Sequence, residues 1–173
     1  MDKSVKNVEN VEVKNTEVND GISPKKAEKA EKSFLTEAEG AFALSRPDVR
    51  SYSGLSLAFI GDGAYELAIR TLIISKGNTQ VNKMHRQCSE LVKAPAQAAM
   101  IQAVFEQLTP EEQAVCRRGH NTKPHTKAKN ATTEDYLWAT GFEALCGWLY
   151  LNGEQGRMMD VIKMGLAAIG YEY

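Results

Sequence analysis

From Phe34 onward the apolar residues of this 173-residue chain recur three and four positions apart, and nowhere do they alternate convincingly in twos. That pattern leaves no room for a sheet, whose half-buried strands need a period of two, and it predicts an all-α chain of six or seven helices around one core. A short amphipathic piece over 34–44 runs into Ser45-Arg46-Pro47, where the residue before proline is steered out of helical geometry. Ser53 is placed to cap a long helix over 54–75 that Gly77 closes. Asn82 is placed to cap a third helix, which must break near Pro95, and a further helix runs over 95–107. Thr109-Pro110-Glu111-Glu112 combines a capping threonine, a proline at the first helical position and a glutamate able to reach back to the cap. It opens a helix that ends at Gly119. Thr132 or Thr133 opens the next, which stops at Asn152-Gly153, and the last spans about 154–168.

The first 33 residues differ in kind. They hold seven lysines and seven acids, no aromatic residue, and valines too sparse to bury a face. They read as a disordered charged tail, leaving residues 34–173 as a single domain. The tail offers no apolar core for a secretory signal, and no later run reaches the eighteen apolar residues of a membrane span. Cys88, Cys116 and Cys146 are odd in number and widely spaced, which fits reduced thiols better than a disulfide framework or a zinc site. A cytoplasmic protein is expected. Lysine and arginine number 21 against 22 acids, so any nucleic-acid partner has to be met by a local patch.

The long helix carries an anomaly. In "LSLAFIGDGAYELAIR", a lone acid flanked by glycines, Gly61-Asp62-Gly63, interrupts an apolar run. At about 100° per residue, Leu55, Ala58, Phe59, Tyr65, Ile69 and Ile73 fall within about 60° of Asp62, which puts the acid on the apolar stripe. Two glycines inside a helix cost roughly 1 kcal/mol each relative to alanine, a cost that makes sense where a backbone or a ligand must come close. The helix over 133–151 repeats the anomaly: Glu143 shares its face with Tyr136, Ala139, Thr140, Cys146, Gly147 and Tyr150. An inward carboxylate takes up a proton or finds a cation. If the two helices are neighbours, Asp62 and Glu143 suit a hard divalent ion such as Mg²⁺. The plainer reading is that each acid accepts backbone hydrogen bonds or meets an arginine at a subunit contact. Glu66 fits an ordinary i,i+4 pair with Arg70.

Residues 117–130, "RRGHNTKPHTKAKN", form the local basic patch. They contain Arg117, Arg118, Lys123, Lys127 and Lys129, with His120, Asn121 and His125, and no acid. Read as a loop, the segment can neutralise phosphates without reading bases. Its lack of aromatics favours a duplex over unpaired bases that would need stacking. It directly precedes the helix of Glu143, so what it grips arrives near the acids. Lys83, Arg86 and Lys93, with His85, offer a lesser basic face that helix solubility explains equally well.

These residues resemble a known family. "LSLAFIGDGAYE" is similar to the signature helix of ribonuclease III, and about 54–170 resembles the Mini-ribonucleases III, which consist of the catalytic domain alone. The matching pieces are "GLSLAFIGD", "MHRQCSELVKAPAQA", "RRGHN" with its basic continuation, and "ATGFEALCGWLYL", in the right order. The resemblance implies the ribonuclease III endonuclease fold and a homodimer whose shared valley takes double-stranded RNA. It also implies Mg²⁺-dependent hydrolysis of phosphodiester bonds, with Mn²⁺ as the substitute ion. On that mapping Asp62 and Glu143 are the catalytic, metal-binding acids. Arg117, Arg118, His120, Asn121, Lys123, Lys127, Lys129, Lys83 and Arg86 are the expected RNA contacts. The wider family has two further carboxylates, at the positions of Ala58 and Thr140 here, a reduction the Mini-ribonucleases III share. The implied task is maturing the ends of precursor 23S ribosomal RNA. No double-stranded-RNA-binding domain is expected after Tyr173, so affinity is expected from the dimer, the basic loop or a helper such as a ribosomal protein. Two rivals stay open: a non-cutting ribonuclease III-fold RNA-binding or ribosome-assembly protein, and an unrelated helical oligomer whose inward acids meet arginines across an interface.

Overall fold

The computed structural model describes residues 33–122 and 132–172. The charged stretch 1–32, and Lys123, His125, Lys127 and Lys129, lie outside the described residues. Seven α-helices carry the rest: α1 (Phe34–Ala41), α2 (Gly54–Ile74), α3 (Val81–Val92), α4 (Ala94–Val104), α5 (Pro110–His120), α6 (Thr133–Leu151) and α7 (Gln155–Ala168). Single 3-10 turns lie at Val49–Ser51 and Phe105–Gln107, and no strand occurs among the described residues. The chain is all-α, as its periodicity predicts.

Capping chemistry sets most helix starts. The Ser53 hydroxyl accepts from the Ser56 amide at the head of α2. At α5 and α6 the boxes are reciprocal: Thr109 with Glu112, and Thr132 with Asp135, each hydroxyl accepting from the amide three residues on while the acid accepts from the cap's own amide. Apart from α1, which stops at Ala41 and not 44, and α4, whose continuation over Phe105–Gln107 is a 3-10 turn, two boundaries differ from expectation. Asn82 does not cap α3; the Gln80 carbonyl accepts from the amides of Lys83 and Met84, which starts the helix earlier. The second is α5, which ends at His120, one residue past the expected Gly119, so that the basic segment 117–130 begins inside the helix. The physical reason is the cluster of cations in its last turn, which complements the unpaired carbonyls there.

Helix α6 is the hub, packing on α2, α4, α5 and α7. Around it Leu57, Tyr65, Ile69, Met100, Ile101, Phe142, Leu145, Leu149 and Val161 are shut off from solvent. The Tyr65 ring meets Phe142 edge-on, with centroids 5.0 Å apart, and its hydroxyl donates to the Leu91 carbonyl at 3.0 Å, tying α2 to α6 and to the end of α3. All three cysteines are buried and free. Glu112, 3% exposed, accepts from Arg157 through both carboxylate oxygens, at 2.7 and 2.9 Å, and so joins the start of α5 to α7. No helix among the described residues is long and apolar enough to cross a membrane.

Candidate active site

Two glycines decide where α2 and α6 meet. A β-carbon on Gly61 would lie 1.8 Å from the carbonyl oxygen of Glu143 and 2.6 Å from the amide nitrogen of Gly147. One on Gly147 would lie 2.0 Å from the carbonyl oxygen of Leu57. Only residues without a side chain permit such backbone-to-backbone contact. Because Asp62 follows Gly61, and Gly61 rests on Glu143 itself, the crossing gathers both acids, and the charge of Asp62 is felt at Glu143. Gly63 is different: open space surrounds the place its β-carbon would take.

Glu143 is half-buried, on a face whose Ala139, Thr140, Cys146 and Gly147 are buried, in keeping with the helical periodicity. Asp62 departs from expectation. It is exposed, at the rim of the apolar stripe, and Phe59 on the same side is 83% exposed. The reason is the crossing: α6 enters at Gly61, so the buried face of α2 is centred on Leu57, Gly61 and Tyr65. The turn of about 100° to the next residue carries the carboxylate to the margin of the joint.

Burial, and after it the charge of Asp62, pushes the Glu143 carboxyl up to about 8. Asp62 is itself held above the usual carboxylate range, by partial enclosure first and by the charge of Glu66 second. Two like charges at one crossing disfavour double ionisation, which adds to the burial of Glu143 in holding its proton. At neutral pH the cation-free pair keeps a proton on Glu143. Glu66 lies in its i,i+4 ion pair with Arg70, 2.5 Å apart.

The donor set indicates what such a place can hold. It is two carboxylates from different helices, short of positive charge, at a rim open to solvent. The positions of Ala58 and Thr140 are filled by buried side chains, and the Thr140 hydroxyl donates to the Tyr136 carbonyl. Among the described residues no three His, Cys, Asp or Glu converge on one point. Two oxygen ligands and open space suit an ion that keeps most of its water, as Mg²⁺ does.

One neighbour has no counterpart in the sequence-based expectations. Gln97 of α4 is 1% exposed, its Nε2 donates to the Val92 carbonyl at 2.9 Å, and its amide opposes the upward shift of the Glu143 carboxyl. The signal was available: Gln97 stands at the first position of an i, i+3, i+4, i+7 stripe completed by Met100, Ile101 and Val104, all buried.

The expected RNA contacts are dispersed. Lys83 and Arg86 are exposed on α3. Arg117 lies over the Phe105 ring, 4.9 Å from its centroid, while Arg118 donates to the Arg50 carbonyl on another side of α5. His120 packs on Trp138, with centroids 4.6 Å apart, and lies 3.2 Å from Asn121 Oδ1 and 3.4 Å from Glu134 Oε1. The end of α5 is nonetheless close to the acids, since a β-carbon on Gly119 would lie 2.7 Å from the Thr140 carbonyl, less than one turn before Glu143.

Known proteins share this sequence pattern and this fold. Residues 55–154 match the model of the ribonuclease III domain. A Mini-ribonuclease 3 of Thermoanaerobacter sp. (strain X514) is 41% identical over 139 residues, covering 80% of this chain and 98% of that protein. One of Clostridium tetani is 46% identical over 121 residues, covering 69% of this chain and 80% of that protein. A crystal structure of a Fusobacterium nucleatum protein superposes with a TM-score of 0.64 at 28% identity, covering 70% of this chain and 93% of that one.

Proposed function

The chain belongs to the ribonuclease III family of endoribonucleases, as a Mini-ribonuclease III, and from that premise we propose that it hydrolyses double-stranded RNA with Mg²⁺ held by Asp62 and Glu143. The observation that carries this reading is the convergence of these acids at a crossing where both helices give up side chains to meet. Asp62 and Glu143 would hold the divalent ion, Mg²⁺ or Mn²⁺ in its place, which would supply Lewis-acid chemistry, lowering the pKa of a water and offsetting charge at the phosphorus.

The chain's own residues do the rest. Asp62, exposed, and Glu143, whose carboxyl is pushed up to about 8, would hold the ion between them, so that binding would be coupled to proton loss. Arg117, Arg118, His120, Asn121, Lys83 and Arg86, with Lys123, Lys127 and Lys129, hold the duplex by its phosphates and confer little base preference. Two copies pair through the outward face of α2. Support for this is the exposure of Phe59 and Leu67, 83% and 60%, beside an apolar hollow lined by Phe34, Ile60, Gly63, Leu67 and Met159. The substrate is precursor 23S ribosomal RNA in the cytoplasm, presented with the help of a ribosomal protein.

A labelled duplex RNA incubated with the protein, with and without Mg²⁺, tests the reading. Cleavage requires the ion, and Asp62→Asn lowers the rate about 10³-fold or more while RNA binding persists. Binding without any metal-dependent product would instead make the protein a non-cutting RNA-binding or ribosome-assembly scaffold.

A further inference from the structure

Residues 117–130 hold no Phe, Trp or Tyr, yet two aromatic rings from outside that segment lie directly behind its first basic residues. Arg117 and His120 stand three positions apart on the last turn of α5, and so on one face of it. The Arg117 guanidinium lies over the Phe105 ring, 4.9 Å from its centroid, and donates to Gln113 Oε1 at 3.1 Å. The His120 ring packs on Trp138, with 4.6 Å between centroids. Phe105 and Trp138 meet edge to face at 5.3 Å, so one aromatic pair, from the turn after α4 and from α6, backs both.

Glu134 is the least expected member of this group. It lies in the first turn of α6 with its side chain 64% exposed, beside basic residues that are to meet phosphates, where an acid weakens the attraction. Capping does not call for it, because Thr132 and Asp135 already form a reciprocal box at the head of α6. What Glu134 does is hold two rings: its Oε1 accepts from Trp138 Nε1 at 2.8 Å and lies 3.4 Å from His120 Nε2. A carboxylate oxygen can only accept, so the imidazole turns an Nε2 hydrogen toward it and leaves Nδ1, 3.2 Å from Asn121 Oδ1, to the next side chain. With both nitrogens directed at side chains and one face on the indole, the ring is fixed in orientation.

Basic side chains free in solution lose rotational freedom when they settle on a phosphate, and that loss subtracts from affinity. Side chains already held lose less. We propose that Trp138 and Glu134 are positioning residues for RNA binding: with Phe105 they hold Arg117 and His120 in the orientation from which these meet the phosphates of the duplex. The inference rests on the reading of the basic segment as the part that grips RNA. It adds an aromatic pair and an acid that act through their neighbours and not on the RNA itself.

The test is Glu134→Ala against Glu134→Gln, with duplex binding measured without metal at moderate salt. An acid that merely faced solvent near phosphates would, once removed, let the duplex bind more tightly. Positioning gives the opposite sign: Glu134→Ala raises the Kd about 5-fold or more, because the basic side chains are no longer held beforehand. KM for the duplex rises by a similar factor, while the cleavage rate at saturating duplex stays within about 2-fold of wild type. Glu134→Gln, whose amide oxygen can still accept from Trp138 Nε1, binds at least as tightly as wild type. Unaltered or tighter binding by Glu134→Ala overturns the proposal, as does a loss in Glu134→Gln equal to that in Glu134→Ala. Should neither variant fold, the wild-type protein decides: the indole N–H signal of Trp138 shifts on addition of duplex without metal, while that of Trp148, 8% exposed, stays put. An unmoved Trp138 signal also overturns it. Wild-type protein with no affinity for the duplex would instead remove the reading of the basic segment, a failure distinct from an unaltered Glu134→Ala.

Discussion

The two sides of α2 put the same residue type to opposite ends. On one side Gly61 lies against the backbone of α6, with no room for a β-carbon; on the other, Gly63 borders open space beside exposed Phe59 and Leu67. Asp62 stands between them, at the boundary of a closed joint and an open face. The difference teaches why the acid is where it is. A carboxylate deep in the joint would be desolvated and protonated, and one on the open face would be too far from Glu143 to share an ion with it.

Gly61→Ala should break the comparison most severely. Its β-carbon, 1.8 Å from the Glu143 carbonyl, forces α2 and α6 apart and costs about 4 kcal/mol or more. Thermal denaturation checks this; a melting temperature within a few degrees of wild type would mean the helices do not meet as described.

The charge at the joint gives the next effect, through pH. The folded carboxyl of Glu143 lies near 8, above its ordinary 4.5, so the folded state binds the extra proton between those values. Stability of the cation-free protein is therefore complete below about pH 4.5 and declines as pH rises toward 8. Glu143→Gln removes that decline, and at pH 8 without metal it should be more stable than wild type by about 1 kcal/mol or more, roughly 3 °C. Added Mg²⁺ should raise the melting temperature of wild type and not of Glu143→Gln. Melting curves from pH 5 to 8 read both, and identical slopes for the two proteins would count against the shared site.

The open face yields the smallest stability change. Gly63→Ala meets nothing and gains helix propensity, so it should stabilise the single chain by about 0.5–1 kcal/mol, opposite in sign to Gly61→Ala. Leu67→Glu, also on that face, should leave the melting temperature nearly unaltered while abolishing self-association in sedimentation velocity. A dimer that survives it would move the proposed interface elsewhere.

What could be read in advance divides along the same line. Ser53, Thr109 and Thr132 announce their helices because a cap and the amide it serves lie three residues apart. The half-burial of Glu143 follows from its own helix, whose whole surface on that side is apolar. Asp62 was placed too deep because the angular centre of a stripe is not the point where a neighbour enters; the missing side chain of Gly61 decided that. The basic segment 117–130 begins inside α5, whose end at His120 lies one residue past the Gly119 expected from the sequence, and Arg117 and Arg118 there complement the unpaired carbonyls of the last turn.

The sequence by itself therefore determined an all-helical chain, the limits of most of its helices and two acids on largely apolar faces, since these depend on neighbours within about one turn. Only the tertiary structure decided that α2 and α6 cross at Gly61 and Gly147, that the charge of Asp62 is felt at Glu143, and that Phe59 looks outward. Those facts depend on where α2, α4 and α6 cross, which is fixed by packing between residues remote along the chain and not by any local pattern.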